Sequence, residues 1–549
     1  MDTLPQTYIR WVVFASTSYP SSLSVPSALL VFALQMRLPF ITFALGLSTV
    51  AIAASHVKQK RATSILIDPA PQPDLPSASE ARIASTSEGL NLDDIQGDIL
   101  IGMKKDKELF FFFSIQDAAT FKSKLGTDIH DLITPTTQLL DEDIQPTTAV
   151  NIAFSQSGLT ALGVSGDLID PDFKQGQFSD ATKLGDASTD SWIPGFAGKG
   201  VHGVFLIASN TLANVNDGLA NIQSILGDSI TEIHRLQGAA RPGSEEGHEH
   251  FGYMDGISQP HVQGFGDGPK PGQTTIQAGI ILTGEDGDGS QTLRPSWAKG
   301  GSFLAFRQLQ QRVPEFDKFV SDNALSVPGL TAQENADLFG ARMLLKGAPI
   351  DLAPLRDDKE LGNDRNRNND FTYEHPEVPD FDISTNQTLC PFAAHVRKTN
   401  PRATINVRDE NHIIRAGIPY GPEVTDAEAS AQASSDSPDL ERGLAFVSYQ
   451  SIIGNGFAFI QKSWANSERF PIFNTSLMFT NLAWDTLLIH SVGADPIIGA
   501  LNGRPRTVTG LDPLNFTKPF VLNTDFVVSR GGEYFFSPPI SALVTTLSK

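Results

Sequence analysis

The chain has 549 residues, of which 40% are hydrophobic, which is enough apolar material for about two to four domains with cores of their own. Its 41 lysines and arginines are outnumbered by 62 aspartates and glutamates, giving a formal net charge of -21. Nucleic-acid binding needs basic surface to displace counterions, so this charge excludes nucleic acid as a partner. The only cysteine is Cys390, so no intramolecular disulfide can form.

The first 61 residues read as an export and processing region. Met36-Arg37 precede an apolar run that ends in small residues, which is the pattern of a secretory signal peptide. Met36 therefore fits as the start of translation, and Lys60-Arg61 resembles a dibasic processing site. We expect a secreted, extracellular protein that is not anchored in a membrane. Three sequons for N-glycosylation fit export: Asn386, Asn474 and Asn515.

Residues 62–90 form a linker rich in proline and serine, and residues 91–294 then alternate strand-like and helix-like runs. Two β-α-β units in succession predict a ferredoxin-like α+β domain. In chain order the predicted elements are a strand at 108–115, a helix at 117–125, strands at 149–155 and 203–209, a helix at 212–226 and a strand at 231–239.

Residues 295–549 repeat this alternation and predict a second domain of the same class. No residue-level repeat accompanies it, so the duplication is one of architecture. Residues 467–494 form an apolar, aromatic interruption that looks inserted. The predicted elements are strands at 302–309, 443–451 and 526–538 and helices at 313–322 and 455–466.

The stretch HEHFGYMDGISQP, residues 248–260, places the carboxylate of Asp255 among glycine, aromatic and small residues. Asp-Gly is a strong hairpin signal, so one interpretation is an ordinary turn, and the other is an acid-base catalyst. A metal site is a further alternative, because His-x-His directs both imidazoles to one face of a strand. Its candidate ligands are His248, Glu249, His250 and His261.

His395 is followed by an unusual concentration of cations in an otherwise acidic chain. A haem would account for it, since the iron takes an imidazole and the two propionates attract arginines. The alternative is a solvated basic loop. The cations are Arg397, Lys398, Arg402, Arg408 and Arg415.

These features together resemble one enzyme family. GYMDG, residues 252–256, matches the GxxDG motif of dye-decolorizing peroxidases, and His395 and Arg415 follow in the order and approximate spacing of that family. The resemblance covers roughly residues 90–549 and is closest to the fungal members. It includes the blocks LDDIQGDIL, GSFLAFRQLQQ, HVRKTNPR, IIRAGIPYGPE, GLAFVSYQS, FIQKSWAN, DPIIG and RGGEYFFSP.

The resemblance implies two ferredoxin-like domains with antiparallel sheets and flanking helices, and one haem b in a cavity mainly of the C-terminal domain. His395 would be the axial iron ligand, with Asp495 as the carboxylate that fixes its tautomer. Asp255 would shuttle a proton on bound peroxide, and Arg415 would stabilise the developing negative charge. The remaining implied roles are propionate binding by Arg397 and Arg402, a narrow distal pocket at Leu444 and Phe446, and electron relay by Trp464 and Tyr420.

The implied function is a secreted peroxidase, monomeric or homodimeric, that reduces hydrogen peroxide and oxidises bulky dyes, phenolics or lignin-related compounds. An aspartate that works as its carboxylate suits mildly acidic medium. Two alternatives stay open: a haem carrier that retains His395 without chemistry, and a haem enzyme similar to chlorite dismutase, whose relatives lack GxxDG.

Overall fold

The computed structural model describes residues 81–82, 85, 89–103, 105–141, 145–198, 200–266, 268–344, 368–374, 379–384, 386–387, 390–471 and 492–549. The predicted signal and processing region, most of the linker and most of the 467–494 segment lie outside the described residues.

Antiparallel strands make up the framework of the described chain. Most strands lie within one or two residues of the predicted positions, because their apolar runs are long and flanked by turn residues. The strands are β1 Lys107–Ile115, β2 Ala149–Phe154, β3 Gly203–Ser209, β4 Ile230–Ala239, β5 His261–Val262, β6 Thr275–Ile276, β7 Ser302–Gln311, β8 Ile414–Arg415, β9 Ile418–Tyr420, β10 Gly443–Gln450, β11 Arg506–Val508, β12 Phe520–Leu522 and β13 Val527–Ser537.

The strands of the two halves follow the same plan. In the first half the order is β2-β3-β1-β4, and in the second half β9-β10-β7-β13. When only these four strands of each half are numbered in chain order, both spatial orders read 2-3-1-4. This agreement confirms the predicted ferredoxin-like α+β class. The halves join edge to edge through the pairs Phe536 with Phe154 and Gly238 with Tyr420. Because β10 also pairs with β7, these strands close on themselves, with β8 added at the end of β10.

Strand β1 shows why the sheet is buried on both faces. Successive side chains of a strand point to opposite sides, so its phenylalanines divide between two cores. Phe110 and Phe112 pack into one apolar cluster, whereas Phe111 and Phe113 pack into another. A continuous apolar run such as LFFFF is therefore what this position in the sheet requires.

Helices cover the outer face of the sheet. The longest follows the spacing expected of an amphipathic helix, burying Val215, Leu219, Ile222 and Leu226, and Thr211 caps its start. Among the described helices, none combines the length and hydropathy that a bilayer crossing requires. The helices are α1 Gly97–Leu100, α2 Ala118–Lys124, α3 Thr136–Leu139, α4 Gln156–Ala161, α5 Pro171–Gln175, α6 Gln177–Leu184, α7 Leu212–Leu226, α8 Val313–Asp322, α9 Ala332–Leu344, α10 His395–Thr399, α11 Asp426–Ala431, α12 Phe457–Phe459 and α13 Ile540–Ala542.

Candidate active site

A cavity of about 280 Å³ brings together residues that are far apart in the sequence. The segment after residue 248, strands β7 and β10, helix α10 and the π-helical turn Ile460–Ala465 all contribute to its lining. Six of the residues predicted from the sequence line this one cavity: Asp255, His395, Arg415, Leu444, Phe446 and Trp464.

Asp255 and Arg415 form an ion pair at the cavity wall. The Nη1 of Arg415 donates to Oδ1 of Asp255, and Gly256 N–H donates to the same oxygen at 2.7 Å. Burial by itself would raise the pKa of Asp255, but the Arg415 charge and these hydrogen bonds outweigh it and lower that pKa below its ordinary value. Both hydrogen bonds recorded in the described residues end on Oδ1, so Oδ2 is available to take up a proton.

A half-buried turn, closed by a β-bridge between His248 and Met254, holds Asp255 in place, and Glu249 braces it. The Glu249 carboxylate accepts N–H from Phe251 at 2.8 Å and from Tyr253 at 2.9 Å, and it accepts the side-chain amide of Gln311 on β7. Burial raises the pKa of Glu249 to about 7. The sequence suggested Glu249 only as a metal ligand, and its bracing role was missed because these three donors meet its carboxylate only in the folded chain.

His395 meets Asp495 as the sequence predicted. The Nδ1 of His395 donates to Oδ2 of Asp495 at 2.8 Å, and Asp495 is fully buried. Its other oxygen accepts N–H from Ile497 and Ile498, which fixes the carboxylate at the start of a turn. Burial alone would lower the pKa of His395, but the Asp495 charge outweighs it and raises that pKa. This leaves Nε2 of His395 as the ring nitrogen available to the cavity.

Leu444 and Phe446 present an apolar surface to the cavity. They are two residues apart on β10, so their side chains share a face of the strand. Leu444 pairs with Leu309 and Phe446 with Arg307 on β7, and both of these partners also line the cavity. The pairing fixes the position of both apolar groups.

The two predicted relay aromatics are buried, each with 4% exposure. Trp464 lines the cavity and stacks on Phe470 with ring centres 5.2 Å apart, and Phe459 meets it edge-on at 5.4 Å. Tyr420 is not among the cavity-lining residues, and its hydroxyl donates to Glu441 at 2.8 Å. Neither ring is therefore a surface aromatic in the described structure.

The structure places Arg397 away from the cavity lining, and its propionate-binding role stays a prediction. Its guanidinium is fully buried and donates to the carbonyl oxygens of Cys390 and Ile383, so it organises the loop before His395 and does not line the cavity. Arg402 also lies outside the lining, but it donates at 3.1 Å to the carbonyl of Gly272, which does line the cavity. Its propionate-binding role stays a prediction.

The alternative metal site around His248 does not form. His250 donates from Nε2 to the carbonyl of Tyr420 at 2.8 Å, and Nδ1 of His261 lies 3.2 Å from the hydroxyl of Thr275. The segment folds as a hairpin, so His-x-His does not present two imidazoles on one strand face. In the part of the chain that the structure describes, no group of three His, Cys, Asp or Glu side chains is arranged to hold a metal ion.

The cavity fits a haem by the chemistry of its donors. A histidine whose Nδ1 is held by a buried carboxylate directs a metal-binding Nε2 towards the cavity. The lining around it is largely apolar, including Phe457, Ile460 and Trp464, which suits a flat aromatic macrocycle. An acid-base pair in the same cavity is the arrangement of a haem enzyme that activates a small polar molecule.

The fold and this site define a haem peroxidase built on an α+β barrel, and comparisons with known proteins agree. A family model described as the DyP dimeric alpha+beta barrel domain matches residues 94–242, and one described as the C-terminal Dyp-type peroxidase domain matches residues 261–477. The chain belongs to the dye-decolorizing peroxidase family, whose members are haem-dependent enzymes.

Its relatives include several fungal proteins. The chain is 56% identical to Peroxidase 2 of Mycetinis scorodonius over 93% of its own length and 100% of the relative. It is 55% identical to a dye-decolorizing peroxidase of Mycena epipterygia over 88% of its own length and 92% of that protein. The crystal structure of the Auricularia auricula-judae enzyme complexed with imidazole is similar with a TM-score of 0.77 and 49% identity, covering 84% of this chain and 100% of that one.

Proposed function

We propose that this chain is a secreted peroxidase that binds one haem b, reduces hydrogen peroxide and oxidises bulky dyes, phenolics or lignin-related compounds. The observation that carries the proposal is that Asp255, paired with Arg415, and His395, held from behind by the buried Asp495, line one cavity. We further propose a monomer or homodimer, glycosylated at sites that include the exposed Asn515.

The haem, when bound, supplies an iron centre that accepts the oxidising equivalents of hydrogen peroxide. His395 would hold the iron through Nε2, since Asp495 keeps the proton on Nδ1 and increases the basicity of the ring. Asp255 takes the proton of the incoming peroxide on Oδ2 and returns it to the departing oxygen, which is general acid-base catalysis. Arg415 stabilises the negative charge that develops meanwhile.

If Leu444 and Phe446, which line the cavity, admit only small molecules, the oxidation of large reductants requires electrons to cross the protein. Trp464 is the stronger relay candidate, since it lines the cavity and stacks against a second ring, that of Phe470. Tyr420 is the second candidate, and its hydrogen bond to Glu441 offers a carboxylate that accepts the phenolic proton on oxidation.

The two alternative functions explain less of the site. A haem carrier needs His395 but has no use for an aspartate whose pKa is held low by a neighbouring arginine. An enzyme similar to chlorite dismutase would share the sheet architecture without the GxxDG motif that supplies Asp255.

The test is Asp255→Asn, compared with Asp228→Asn at an exposed turn. Asparagine keeps the size of the side chain and an acceptor for Gly256 N–H but cannot carry the proton. We expect the rate of reaction with peroxide to fall by about 100- to 10,000-fold while the haem absorption spectrum stays that of the parent. A variant that turns over peroxide at the parental rate would refute the shuttle role, and a chain that binds no haem would refute the proposed function.

A further inference from the structure

Arg415 lies on β8, a strand of only two residues at the end of the sheet. On one side β8 pairs with β10, where Arg415 lies opposite Ser448 and the N–H of Ala416 donates to Val447 at 3.0 Å. The N–H and C=O of Arg415 itself point the other way, where a further strand would lie if the sheet continued. So short a strand holds its residues weakly, and the backbone of Arg415 needs a partner on that open side.

That partner is the side chain of Gln259. Its Oε1 accepts the N–H of Arg415 at 3.0 Å, and its Nε2 donates to the C=O of Arg415 at 2.6 Å. One carboxamide thus reproduces the two hydrogen bonds that a neighbouring strand would make. Of the uncharged side chains of this length, only glutamine carries both the acceptor and the donor.

The same short segment also holds the guanidinium of Arg415. Asp255, four residues before Gln259, forms the ion pair, and Ser258 accepts Nη2 through its carbonyl at 3.2 Å. Residues 255–259 therefore include the carboxylate that carries the proton, and they hold both the backbone and the guanidinium of Arg415 in position. Gln273 in turn donates to the carbonyl of Gln259 at 3.2 Å and steadies the segment.

We propose that Gln259 is a positioning residue for peroxide activation: its carboxamide sets the backbone of Arg415 so that the guanidinium meets Asp255 and the bound peroxide. Gln259 lines the cavity, but it acts through Arg415. The inference rests on the proposed function, since it assigns Gln259 a part in the step that Arg415 serves.

The first test is Gln259→Met, which preserves the length of the side chain and removes both hydrogen bonds. The matched control is Gln156→Met, because Gln156 is also half-buried but lies at the start of α4, outside the cavity lining. A misplacement of about 1 Å in a catalytic group costs up to about 100-fold, so we expect the peroxide rate constant to fall at least about 10-fold in Gln259→Met and less than about 2-fold in the control. Haem content and dye oxidation at saturating peroxide should stay near the parental level in both.

The second test is Gln259→Glu, whose pH profile a merely structural residue would not change. A protonated carboxyl offers an acceptor and a donor as the carboxamide does, whereas the carboxylate places an oxygen against the C=O of Arg415. Ordinary glutamate titrates near ~4.3. The ratio of variant to parental peroxide rate should therefore approach one at about pH 3 and fall at least about 10-fold by pH 7.

Arg415→Leu, alone and combined with Gln259→Met, separates the possible failures. If Gln259 acts through Arg415, the double variant is no slower than Arg415→Leu alone. A normal peroxide rate in Arg415→Leu overturns the proposed role of the arginine and this inference with it. If Arg415→Leu is slow but Gln259→Met equals the control, or the Gln259→Glu ratio is flat with pH, the inference alone is overturned. If Gln259→Met does not bind haem, the inference is tested by the pH dependence of the ratio of the Gln259→Glu peroxide rate to the parental rate.

Discussion

The charge of Arg415 sets the pH range in which Asp255 can act as a base. In the folded chain the pKa of Asp255 lies below its ordinary value of 3.8, because the arginine and the hydrogen bonds outweigh a burial effect that acts in the opposite direction. The carboxylate, which is the working form, therefore persists throughout mildly acidic pH. In the parent enzyme the reaction with peroxide should lose rate only below about pH 3.8.

Replacing Arg415 by leucine removes the main lowering effect and leaves burial in place. The pKa of Asp255 should therefore rise in Arg415→Leu, and the fall of the rate in acid should begin at a higher pH than in the parent. At pH values where Asp255 is ionised, the peroxide rate of Arg415→Leu should still be about 100- to 1,000-fold below that of the parent, since the stabilisation of negative charge by Arg415 is lost at every pH.

The assay is the rate of the haem absorption change after rapid mixing with peroxide, measured from pH 3 to pH 7. Arg408→Leu is the matched control, because the Arg408 side chain is 80% exposed and forms its ion pair with Glu410. If the peroxide rate falls over the same acidic pH range in the parent and in Arg415→Leu, the electrostatic coupling of Asp255 to Arg415 is refuted.

Three other variants test other parts of the structure. Asp495→Asn should weaken haem retention by about 10- to 100-fold in a transfer assay to apomyoglobin, because the His395 ring loses its charged acceptor; unchanged retention would contradict this. Trp464→Phe should slow oxidation of a bulky dye severalfold while leaving the peroxide rate constant unchanged, and an equal loss of both would show that the ring only supports packing. Phe112→Ala should lower the free energy of unfolding, measured by denaturant titration, by about 3 to 5 kcal/mol, since Phe112 is fully buried among aromatic rings. The control Phe516→Ala, at a 46% exposed site, should lower it by less than about 0.5 kcal/mol.

The sequence by itself determined the long strands and the two helices with the strongest local signals, but not the short strands or most of the short helices. The helices at 212–226 and 313–322 begin and end where their patterns predicted, because cap residues, a proline in the first turn and apolar spacing all act locally. Asp255 was found for a similar reason, since its motif is contiguous and the residue types are unusual for a plain turn. His395 was noted for the cations that follow it, and the roles of His395 and Arg415 were implied by the resemblance to dye-decolorizing peroxidases.

The tertiary structure alone decided which polar groups share the cavity. Arg397 is two residues from His395 in the chain, yet its side chain donates to the backbone carbonyls of Cys390 and Ile383, which only the folded loop brings to it. Gln259 gave no signal of its importance, because its partner lies 156 positions further along the chain. Hydrogen bonds of this range depend on how the ends of β8 and the 255–259 segment meet, and local sequence pattern carries no information on that geometry.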